Sequence, residues 1–428
     1  MAKKDKIQNW VEYIQRIHAR EIDMSLERVR TVFERMHPFG VTSKIISIAG
    51  TNGKGSVAEM ISSILRSAGY RVGKYTSPHL IRFNERFLIN GMEVSDSQLL
   101  RSFSHVEVAR NQLPLTFFEF GTLVAIDLFV HAEVDYMVME VGLGGRLDAV
   151  NILDADVSIF TSLSVDHTEW LGQSREQIGM EKIGIARAAT PCVFGFGDVP
   201  LNLLEYCEKR DIQAVIQGQD FAFDAPAKGS TWTWRSQTEQ LSDIPLPFGQ
   251  RGCQLNNAAS AIMASRLLPE SPIDQHSVRR GIGLAKANGR CEMISQVPYI
   301  ILDVAHNSDS VKQLAESLES WHFKGRIIAL CGMLADKQTT ESLAHMLPLV
   351  DEWHFVTVSN ARAATALELT QDLHAAERSA RRVQPHSPPL CHDDTLQAYN
   401  EIKERLEPED CLVVFGSFHL VGDILPAT

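Results

Sequence analysis

The 428-residue chain has few of the features that mark secreted, membrane-spanning or nucleic-acid-binding proteins. Its seven cysteines are scattered without a Cys-x-x-Cys pair, which argues against a disulfide framework and a cysteine-based zinc site. No apolar run approaches a membrane span, and the N-terminus lacks the apolar region of a signal peptide. The net charge of −12, with no block of Lys or Arg, argues against a nucleic-acid partner. These absences predict a cytoplasmic protein that binds anions through local positive sites.

The chain is too long for one hydrophobic core, because single cores stop growing near ~250–300 residues. Apolar, strand-like runs alternate with helical patterns, which is typical of parallel sheets covered by helices. The runs are residues 45–49, 70–75, 136–141, 157–161, 192–196, 299–304, 326–331, 352–358 and 411–415. Residues 215–250 predict a β-rich excursion, and a helix is expected at 257–268. We predict an α/β parallel-sheet ATPase domain at 1–287, a hinge at 288–291, and a smaller Rossmann-like α/β domain at 292–428.

The most informative segment is a glycine-rich turn between a predicted strand and a predicted helix. It reads Gly50-Thr51-Asn52-Gly53-Lys54-Gly55-Ser56. Apolar side chains at helical spacing follow it, and Gly69 ends that pattern. Backbone N–H groups of such a turn, the positive end of the helix and the Lys side chain converge on one spot suited to phosphates.

The turn departs from the common P-loop pattern in two places. Gly55 separates Lys54 from Ser56, and Ile48 stands where the first glycine is expected. A coincidental glycine turn is the plainer interpretation, but the strand, turn and helix signals agree. The segment therefore predicts a nucleoside triphosphate site of an unusual subtype.

Polar side chains stand at the carboxyl ends of neighbouring predicted strands, where ligands of open α/β sheets bind. Ser77 follows the second strand, Glu140 ends the third, and His167 follows the fourth. With Ser56 they predict a site for Mg²⁺, which takes few protein ligands beside phosphate oxygens. Glu140 ends a buried apolar run and needs a charged partner. His167 taken alone is more typical of a helix cap or a surface histidine.

The second half repeats this arrangement of polar groups after apolar strands. Asp303 suits a ribose hydroxyl, and His306 suits a phosphate or an incoming amine. Ser417 follows the last strand. Capping of the helices that follow is an equally good interpretation of these residues.

Seven segments, in this order, resemble the bacterial folylpolyglutamate synthases, which are ADP-forming amide ligases related to the Mur ligases. They are residues 49–56, 76–80, 140–151, 166–168, 181–185, 303–307 and 416–419, and the resemblance spans nearly the whole chain. The Lys-Gly-Ser order at 54–56 is the folate-branch version, since Mur enzymes place a hydroxyl residue directly after the Lys. The loop also lies too near the start of the chain for the additional UDP-sugar domain of Mur enzymes. The resemblance implies a first domain like the Mur ligase central domain.

The resemblance also implies roles for individual residues. Lys182 corresponds to the family's carbamylated lysine; CO₂ converts the cationic amine into an anionic carboxylate able to hold a second Mg²⁺. Lys54, Lys182 and His306 are the implied catalytic residues. The implied ATP contacts are Gly50, Thr51, Asn52, Gly53, Lys54, Gly55, Ser56, Asn257, Arg290 and Asp303. The implied metal ligands are Ser77, Glu140, His167 and carbamylated Lys182.

The acceptor site is implied by two segments, residues 21–28 and 116–119, which resemble the pterin-contacting segments of bacterial bifunctional enzymes. An aromatic pair beside carboxylates suits a flat, donor-rich pterin. Phe117 and Phe118 also suit a plain hydrophobic core. The implied acceptor contacts are Asp23, Thr116, Phe117, Phe118, Glu119, Leu147, Asp148 and Ala149, and the implied glutamate contacts are His306 and Ser417.

The expected activity is ATP-dependent ligation of L-glutamate to 7,8-dihydropteroate and to the glutamate tail of tetrahydrofolates. It would proceed through an acyl phosphate, as a monomer, in folate biosynthesis and one-carbon metabolism. A monofunctional folylpolyglutamate synthase is the main alternative. A Mur-type ligase or a P-loop regulatory NTPase is less favoured, and the polar strand ends of the second domain argue against the NTPase.

Overall fold

The computed structural model describes residues 3–20, 22–225, 229–248, 253–268, 273–380 and 388–427. The chain forms two compact units, one of Met1–Pro247 with Leu255–Lys286 and one of Phe248–Gln254 with Ala287–Thr428. The domain limits and the hinge at 288–291 stay predictions. Glu21, which belongs to the first pterin-contacting segment, lies outside the described residues.

The first unit consists of an α/β sheet, a small antiparallel sheet and the helices around them. Its helices are α1 (Lys3–Ile17), α2 (Glu27–Met36), α3 (Lys54–Ser67), α4 (Asp96–Arg110), α5 (Phe117–His131), α6 (Thr168–Leu171), α7 (Arg175–Ile183), α8 (Leu201–Lys209), α9 (Cys253–Arg266) and α10 (Gln275–Leu284). Its strands are β1 (Lys44–Ala49), β2 (Val72–Tyr75), β3 (Phe87–Ile89), β4 (Met92–Glu93), β5 (Tyr136–Glu140), β6 (Val157–Phe160), β7 (Pro191–Phe194), β8 (Gln213–Ile216), β9 (Phe221–Asp224), β10 (Thr231–Ser236) and β11 (Gln240–Pro245).

The larger sheet has eight strands in the order β4-β3-β2-β5-β1-β6-β7-β8. The six strands from β2 to β8 pair in parallel, whereas β3 and β4 form an antiparallel edge. Ile48 pairs with Glu140 on one side and with Ile159 on the other. The carboxyl ends of β1, β5 and β6 therefore lie side by side, which places the residues that follow them at one edge of the sheet.

Burial explains why these strands carry unbroken apolar runs. Every residue of β5 is buried, as expected for a parallel strand covered by helices on both faces. Helix α3 follows β1 directly and buries an unbroken run of its residues from Ser56 to Leu65. The site at the end of β1 thus rests on a rigid strand and a rigid helix.

The β-rich excursion predicted for 215–250 is a three-stranded antiparallel sheet in the order β11-β10-β9. Trp234 of β10 is buried, and its indole N–H donates a hydrogen bond to the carbonyl of Ala259 at 3.2 Å. The sheet thereby packs against α9. That helix begins at Cys253 and ends at Arg266, earlier at both ends than the predicted 257–268.

The second unit is a smaller α/β fold. Its helices are α11 (Ser308–Trp321), α12 (Thr339–Met346), α13 (Ala366–Ser379), α14 (Thr395–Lys403) and α15 (Phe418–Ile424), and its strands are β12 (Glu292–Gln296), β13 (Tyr299–Asp303), β14 (Ile327–Cys331), β15 (Glu352–Val356), β16 (Leu390–His392) and β17 (Cys411–Phe415). The sheet order is β12-β13-β17-β14-β15-β16, parallel except for β12. Asp303 pairs with Phe415, which brings the carboxyl ends of β13 and β17 together. Among the helices described, none has the length and apolarity needed to cross a membrane.

Candidate active site

The glycine-rich turn adopts backbone conformations that glycine permits. Gly50 has φ +149° and Gly53, at the N-cap position of α3, has φ +86°. A Cβ at Gly50 would overlap the hydroxyl of Thr161, and a Cβ at Gly53 would lie 2.5 Å from Oδ1 of Asn257. A side chain at Gly50 would therefore displace Thr161 and Ser162, and one at Gly53 would displace the side chain of Asn257.

The turn is held by the segment that follows β6. The backbone N–H of Thr51 donates to the carbonyl of Ser162 at 3.0 Å, and that of Asn52 donates to the Ser162 hydroxyl at 2.8 Å. The Thr161 hydroxyl donates to the carbonyl of Asn52 at 2.6 Å. Thr161 and Ser162 thus support the turn, although no sequence motif pointed to them.

Two lysines converge on the carbonyl of Gly50. Nζ of Lys54 donates to it at 3.1 Å and also to the carbonyl of Thr51 at 3.1 Å, and Nζ of Lys182 donates to it at 3.0 Å. Burial, together with the nearby charge of Lys54, lowers the pKa of Lys182 from 10.5 to about 7. Near neutral pH this amine is available in its uncharged, nucleophilic form.

A buried carboxylate lies beside the turn. Glu140 is 3% exposed, and its Oε2 accepts a hydrogen bond from the backbone N–H of Ser77 at 3.1 Å. A Cβ at Gly55 would lie 3.6 Å from the same oxygen. Ser77, Glu140 and the turn are therefore brought together, as the strand-end argument predicted.

His167 is more exposed than Glu140. It has φ +52° at the N-cap position of the short α6, without a side-chain cap, and its side chain is 45% exposed. No group of three His, Cys, Asp or Glu residues arranged for a metal occurs in the part of the chain that the structure describes. A buried carboxylate and a hydroxyl beside a phosphate loop fit Mg²⁺, which takes most of its ligands from phosphate and water.

Asp148 is buried against the segment after β5. Its carboxylate accepts hydrogen bonds from the backbone N–H groups of Gly142, Leu143 and Val150 at 2.9–3.0 Å. Burial raises the pKa of Asp148 from 3.8 to about 7, against the effect of these bonds. The Asp148 side chain also caps a 3₁₀ helix that begins at the buried Ala149, and Leu147 before it is half-buried.

Arg28 joins two of the predicted acceptor residues. Its guanidinium contacts Glu119 at 3.0 Å and Asp23 at 3.1 Å. Glu119 also completes a capping box with Thr116 at the start of α5. Arg28 lies within the segment 21–28, but the sequence gives no sign of its role, because Glu119 lies 91 residues further along the chain.

Phe117 and Phe118 open α5, and both are half-buried. The ring of Phe118 would meet a Cβ at Gly142 at 2.6 Å, and its centroid lies 5.8 Å from that of Tyr75. Phe117 packs edge-on against Phe83 at 5.6 Å. Core packing covers part of each ring, and the remainder is accessible to a ligand.

The second unit gathers polar groups at the ends of β13 and β17. The buried carboxylate of Asp303 accepts hydrogen bonds from the backbone N–H groups of Cys291 and Ala305, both at 2.6 Å. Burial raises the pKa of Asp303, whereas the positive charge of Arg290 opposes that rise. The Arg290 guanidinium lies 5.3 Å from the ring centroid of Phe418.

His306 and Ser417 differ in their local roles. Nδ1 of His306 lies 2.9 Å from the carbonyl of Val304 and therefore carries the proton, since a carbonyl only accepts. The Ser417 hydroxyl accepts from the backbone N–H of Leu420 at 3.1 Å and caps α15. The capping interpretation thus holds for Ser417, whereas Asn307, not His306, caps α11.

Comparison with known proteins decides the family. The models of the Mur ligase middle domain and of the Mur ligase, glutamate ligase domain match residues 48–217 and 289–418. The dihydrofolate synthase/folylpolyglutamate synthase of Escherichia coli (strain K12) is 36% identical over 417 residues, which cover 97% of this chain and 94% of that protein. The chain belongs to the dihydrofolate synthase/folylpolyglutamate synthase family.

Solved structures of this family superimpose on the whole chain. The E. coli FolC structure in complex with DHPP and ADP has a TM-score of 0.91 at 35% identity, covering 98% of this chain and 97% of that one. The bifunctional folylpolyglutamate synthase/dihydrofolate synthase from Yersinia pestis, complexed with AMPPNP and Mn, has a TM-score of 0.89 at 36% identity, with coverages of 98% and 97%. The predicted resemblance and fold class are confirmed. In this family member the glycine-rich turn lies in the Mur ligase middle domain, and Asp303 and His306 lie in the glutamate ligase domain.

Proposed function

We propose that this chain is an ATP-dependent ligase that adds L-glutamate to 7,8-dihydropteroate and to the glutamate tail of tetrahydrofolates. The observation that carries the proposal is the glycine-rich turn, with Lys54, Lys182 and Glu140 around it, in a chain that covers 94% of its E. coli relative. The bifunctional activity is favoured over a monofunctional folylpolyglutamate synthase because the E. coli relative carries both activities in its name.

The reaction has two steps. A carboxylate oxygen of the acceptor attacks the γ-phosphorus of ATP, the bond to the β–γ bridging oxygen breaks, and ADP leaves. The amine of glutamate then attacks the acyl carbon of the resulting acyl phosphate. The tetrahedral intermediate expels phosphate and the nitrogen loses a proton, which leaves an amide.

The turn Gly50–Ser56 binds the triphosphate in this proposal. The N–H groups of Thr51 and Asn52 donate to Ser162, so it is the N–H groups at the start of α3 that face the phosphates, and Lys54 stabilises the charge of the transferring phosphoryl group. Asn257, whose side chain lies against Gly53, contacts the adenine. Arg290 contacts a phosphate, and Asp303 accepts a hydrogen bond from a ribose hydroxyl.

Ser77, Glu140 and His167 hold Mg²⁺ in this proposal, and carboxylated Lys182 holds a second ion. Bound Mg²⁺ would neutralise phosphate charge during transfer. Glu140 contributes a buried carboxylate fixed by the Ser77 N–H, and Lys182 contributes an amine that is readily neutral. That amine adds to CO₂ by forming an N–C bond and losing a proton, which gives a carbamate.

The acceptor lies against the segments before α5 and after β5 in this proposal. Phe117 and Phe118 contact the pterin face, and Asp148, with a pKa near 7, bonds its ring nitrogens. The other acceptor contacts are Asp23, Thr116, Glu119, Leu147 and Ala149. His306 and Ser417 bind the incoming glutamate, and the family membership of the 289–418 segment supports that assignment.

Replacement of Lys54 by Ala tests the phosphate assignment. ADP release that depends on acceptor and glutamate should fall by a factor of at least ~10², because the lost cation stabilises the phosphoryl transition state. The assay uses purified protein, ATP, Mg²⁺, labelled glutamate, and either dihydropteroate or tetrahydrofolate. Turnover at the wild-type rate in the variant would refute the phosphate-loop assignment. If the wild-type protein forms no product from dihydropteroate, the monofunctional folylpolyglutamate synthase becomes the favoured alternative.

Two further properties complete the proposal, namely that the chain acts as a monomer and that it acts in the cytoplasm. Free cysteines support the cytoplasm, since six are free among the described residues and five of these are buried. Light scattering at the concentration used for the assay tests the monomer. A dimer mass would overturn it.

A further inference from the structure

An arginine that the mechanism above does not use is buried in the first unit. Arg86 ends the 3₁₀ helix Phe83–Arg86, immediately before β3, and is 8% exposed. Burial lowers the pKa of its guanidinium, but arginine titrates so high that the group stays charged. Among the described residues no carboxylate lies within ion-pair distance of Arg86, and the charges of Glu140 and Glu85 act on it from further away. A buried charge without a directly paired counter-charge is unfavourable, and a ligand can supply one.

The side chains in direct contact with Arg86 are those of a histidine, two phenylalanines and a tyrosine. Its Nε donates to Nδ1 of His79 at 2.8 Å. Its Cζ lies 5.4 Å from the ring centroid of Phe83 and 5.2 Å from that of Phe117. Tyr75 also lies beside the guanidinium, and burial raises the pKa of its hydroxyl to about 12. These contacts orient the cation without neutralising it.

The position of Arg86 joins the metal residues to the acceptor residues. His79 lies two residues after Ser77, whose N–H donates to Glu140. The Arg86 guanidinium also lies against the ring of Phe117, the first residue of α5. A ligand that reaches Arg86 therefore lies near the half-buried aromatic rings and within the electrostatic reach of Glu140.

We propose that Arg86 binds the acceptor carboxylate that ATP phosphorylates, which is the aryl carboxylate of dihydropteroate or the terminal carboxylate of a folate glutamate tail. This inference rests on the proposed function and names a further substrate-binding residue for it. The terminal N–H groups of a guanidinium match the two oxygens of a carboxylate, and the carboxylate supplies a directly paired counter-charge. Phe83 and Phe117 hold the guanidinium plane, and His79 fixes its Nε edge.

The competing role for Arg86 is structural. In that case the guanidinium only fills the space between the two aromatic rings, and its loss lowers stability without changing which ligands bind. The two roles differ in one measurable property, the preference of the site for a carboxylate over an uncharged group of the same shape.

Equilibrium binding of dihydropteroate and of its carboxamide analogue tests the proposal. The wild-type protein should bind the carboxylate about 10- to 100-fold more tightly, the range expected for a charge-assisted hydrogen-bonded pair. Arg86→Gln should bind both ligands equally, and Arg86→Lys should retain part of the preference. Arg82→Gln is the matched control, because Arg82 lies on the same turn, is 52% exposed and pairs with Glu93 and Asp96. Its preference should equal that of the wild type.

Equal affinity of the wild type for the two ligands would overturn the proposal, as would a full preference in Arg86→Gln. If Arg86→Gln does not fold, the wild-type ratio and Arg86→Lys decide the question. A different result would contradict the proposed function itself. In that case the wild-type protein would release no ADP with ATP, Mg²⁺, dihydropteroate and glutamate, whatever the ratio of its affinities for the two ligands.

Discussion

Lys182 shows at the scale of one residue how burial changes chemistry. An exposed lysine is almost entirely charged at neutral pH, but Lys182 is 5% exposed and has a pKa of about 7. Its neutral fraction therefore rises as the pH rises through about 7. Only the neutral amine reacts with CO₂, so the same burial that destabilises the ammonium favours the carbamate.

Carbamate formation should be visible by carbon-13 NMR after equilibration with labelled bicarbonate. The signal should increase from about pH 6 to about pH 8, because the neutral amine accumulates over that range. Lys182→Ala should lose both the signal and most of the ligase activity. Lys74 is the matched control, since it is also buried but paired with Glu59, and Lys74→Met should keep the signal. A signal that survives in Lys182→Ala would contradict the assignment.

At the scale of elements, the start of α3 is packed against α9. Gly53 lies so close to Asn257 that no side chain fits between them, and its φ is +86°. Gly69, after the other end of α3, has a similar φ of +92° but nothing within 4 Å of its Cβ position. A side chain at Gly53 would therefore cause both backbone strain and steric overlap, whereas a side chain at Gly69 would cause backbone strain alone.

Gly53→Ala should lose more stability than Gly69→Ala. Both substitutions incur the left-handed backbone penalty of about 1 kcal/mol, and only Gly53→Ala must also displace Asn257. Urea denaturation measures the two free energies of unfolding, and nucleotide titration measures binding. Gly53→Ala should also weaken ATP binding, whereas Gly69→Ala should not. If the two variants lose the same free energy of unfolding, the overlap with Asn257 does not contribute to the loss.

The edge strand β16 is joined to β15 by a pair of histidines. Nε2 of the buried His354 donates to Glu352 at 2.8 Å, so its Nδ1 accepts from Nε2 of His392 at 2.8 Å. Burial lowers the pKa of His354; Glu352 opposes that effect, and His392 and Arg405 add to it. A second proton on His354, at Nδ1, would break the hydrogen bond that this atom accepts from His392.

The histidine pair should make stability depend on pH. The pKa of His354 in the folded state is below the ordinary value of 6.5, so its contribution is present above that pH and is lost as the pH falls below it. Between about pH 7 and about pH 5, the free energy of unfolding should fall more steeply in the wild type than in His354→Gln. The difference is at most about 1.4 kcal/mol per pH unit.

Denaturant titrations at several pH values measure this difference. His276→Gln, at an exposed histidine, is the control and should keep the wild-type slope. Parallel slopes in wild type and His354→Gln would contradict the prediction.

At the scale of the whole molecule, nucleotide binding should raise the free energy of unfolding. A ligand that binds only the folded state at a hundred times its dissociation constant raises the free energy of unfolding by about 2.7 kcal/mol. ATP with Mg²⁺ should produce this rise in the wild type, as measured by thermal unfolding at fixed pH. Lys54→Ala should show little of it, because a main contact with the triphosphate is gone. An equal rise in both proteins would place the nucleotide elsewhere.

Much of the fold and of the candidate site could be predicted from the sequence, because the patterns that indicate them lie within short segments. The turn after β1 and the buried carboxylate Glu140 follow from short patterns of glycine and apolar residues. Arg28 and Thr161 were not predictable as supports, since their partners lie 91 and 109 residues away in the chain. The predicted ends of α9 were wrong because an apolar pattern alone does not fix the residues at which a helix begins and ends.

The two hydrogen bonds from Lys54 to the carbonyls of Gly50 and Thr51 have a consequence for ligand selectivity. These carbonyls compete with an incoming anion for the ammonium, since they accept from two of its three N–H groups. A small univalent anion therefore gains little from Lys54. A triphosphate offers several charges at once and also accepts from the N–H groups at the start of α3. We expect the loop to bind polyphosphates in preference to univalent buffer anions.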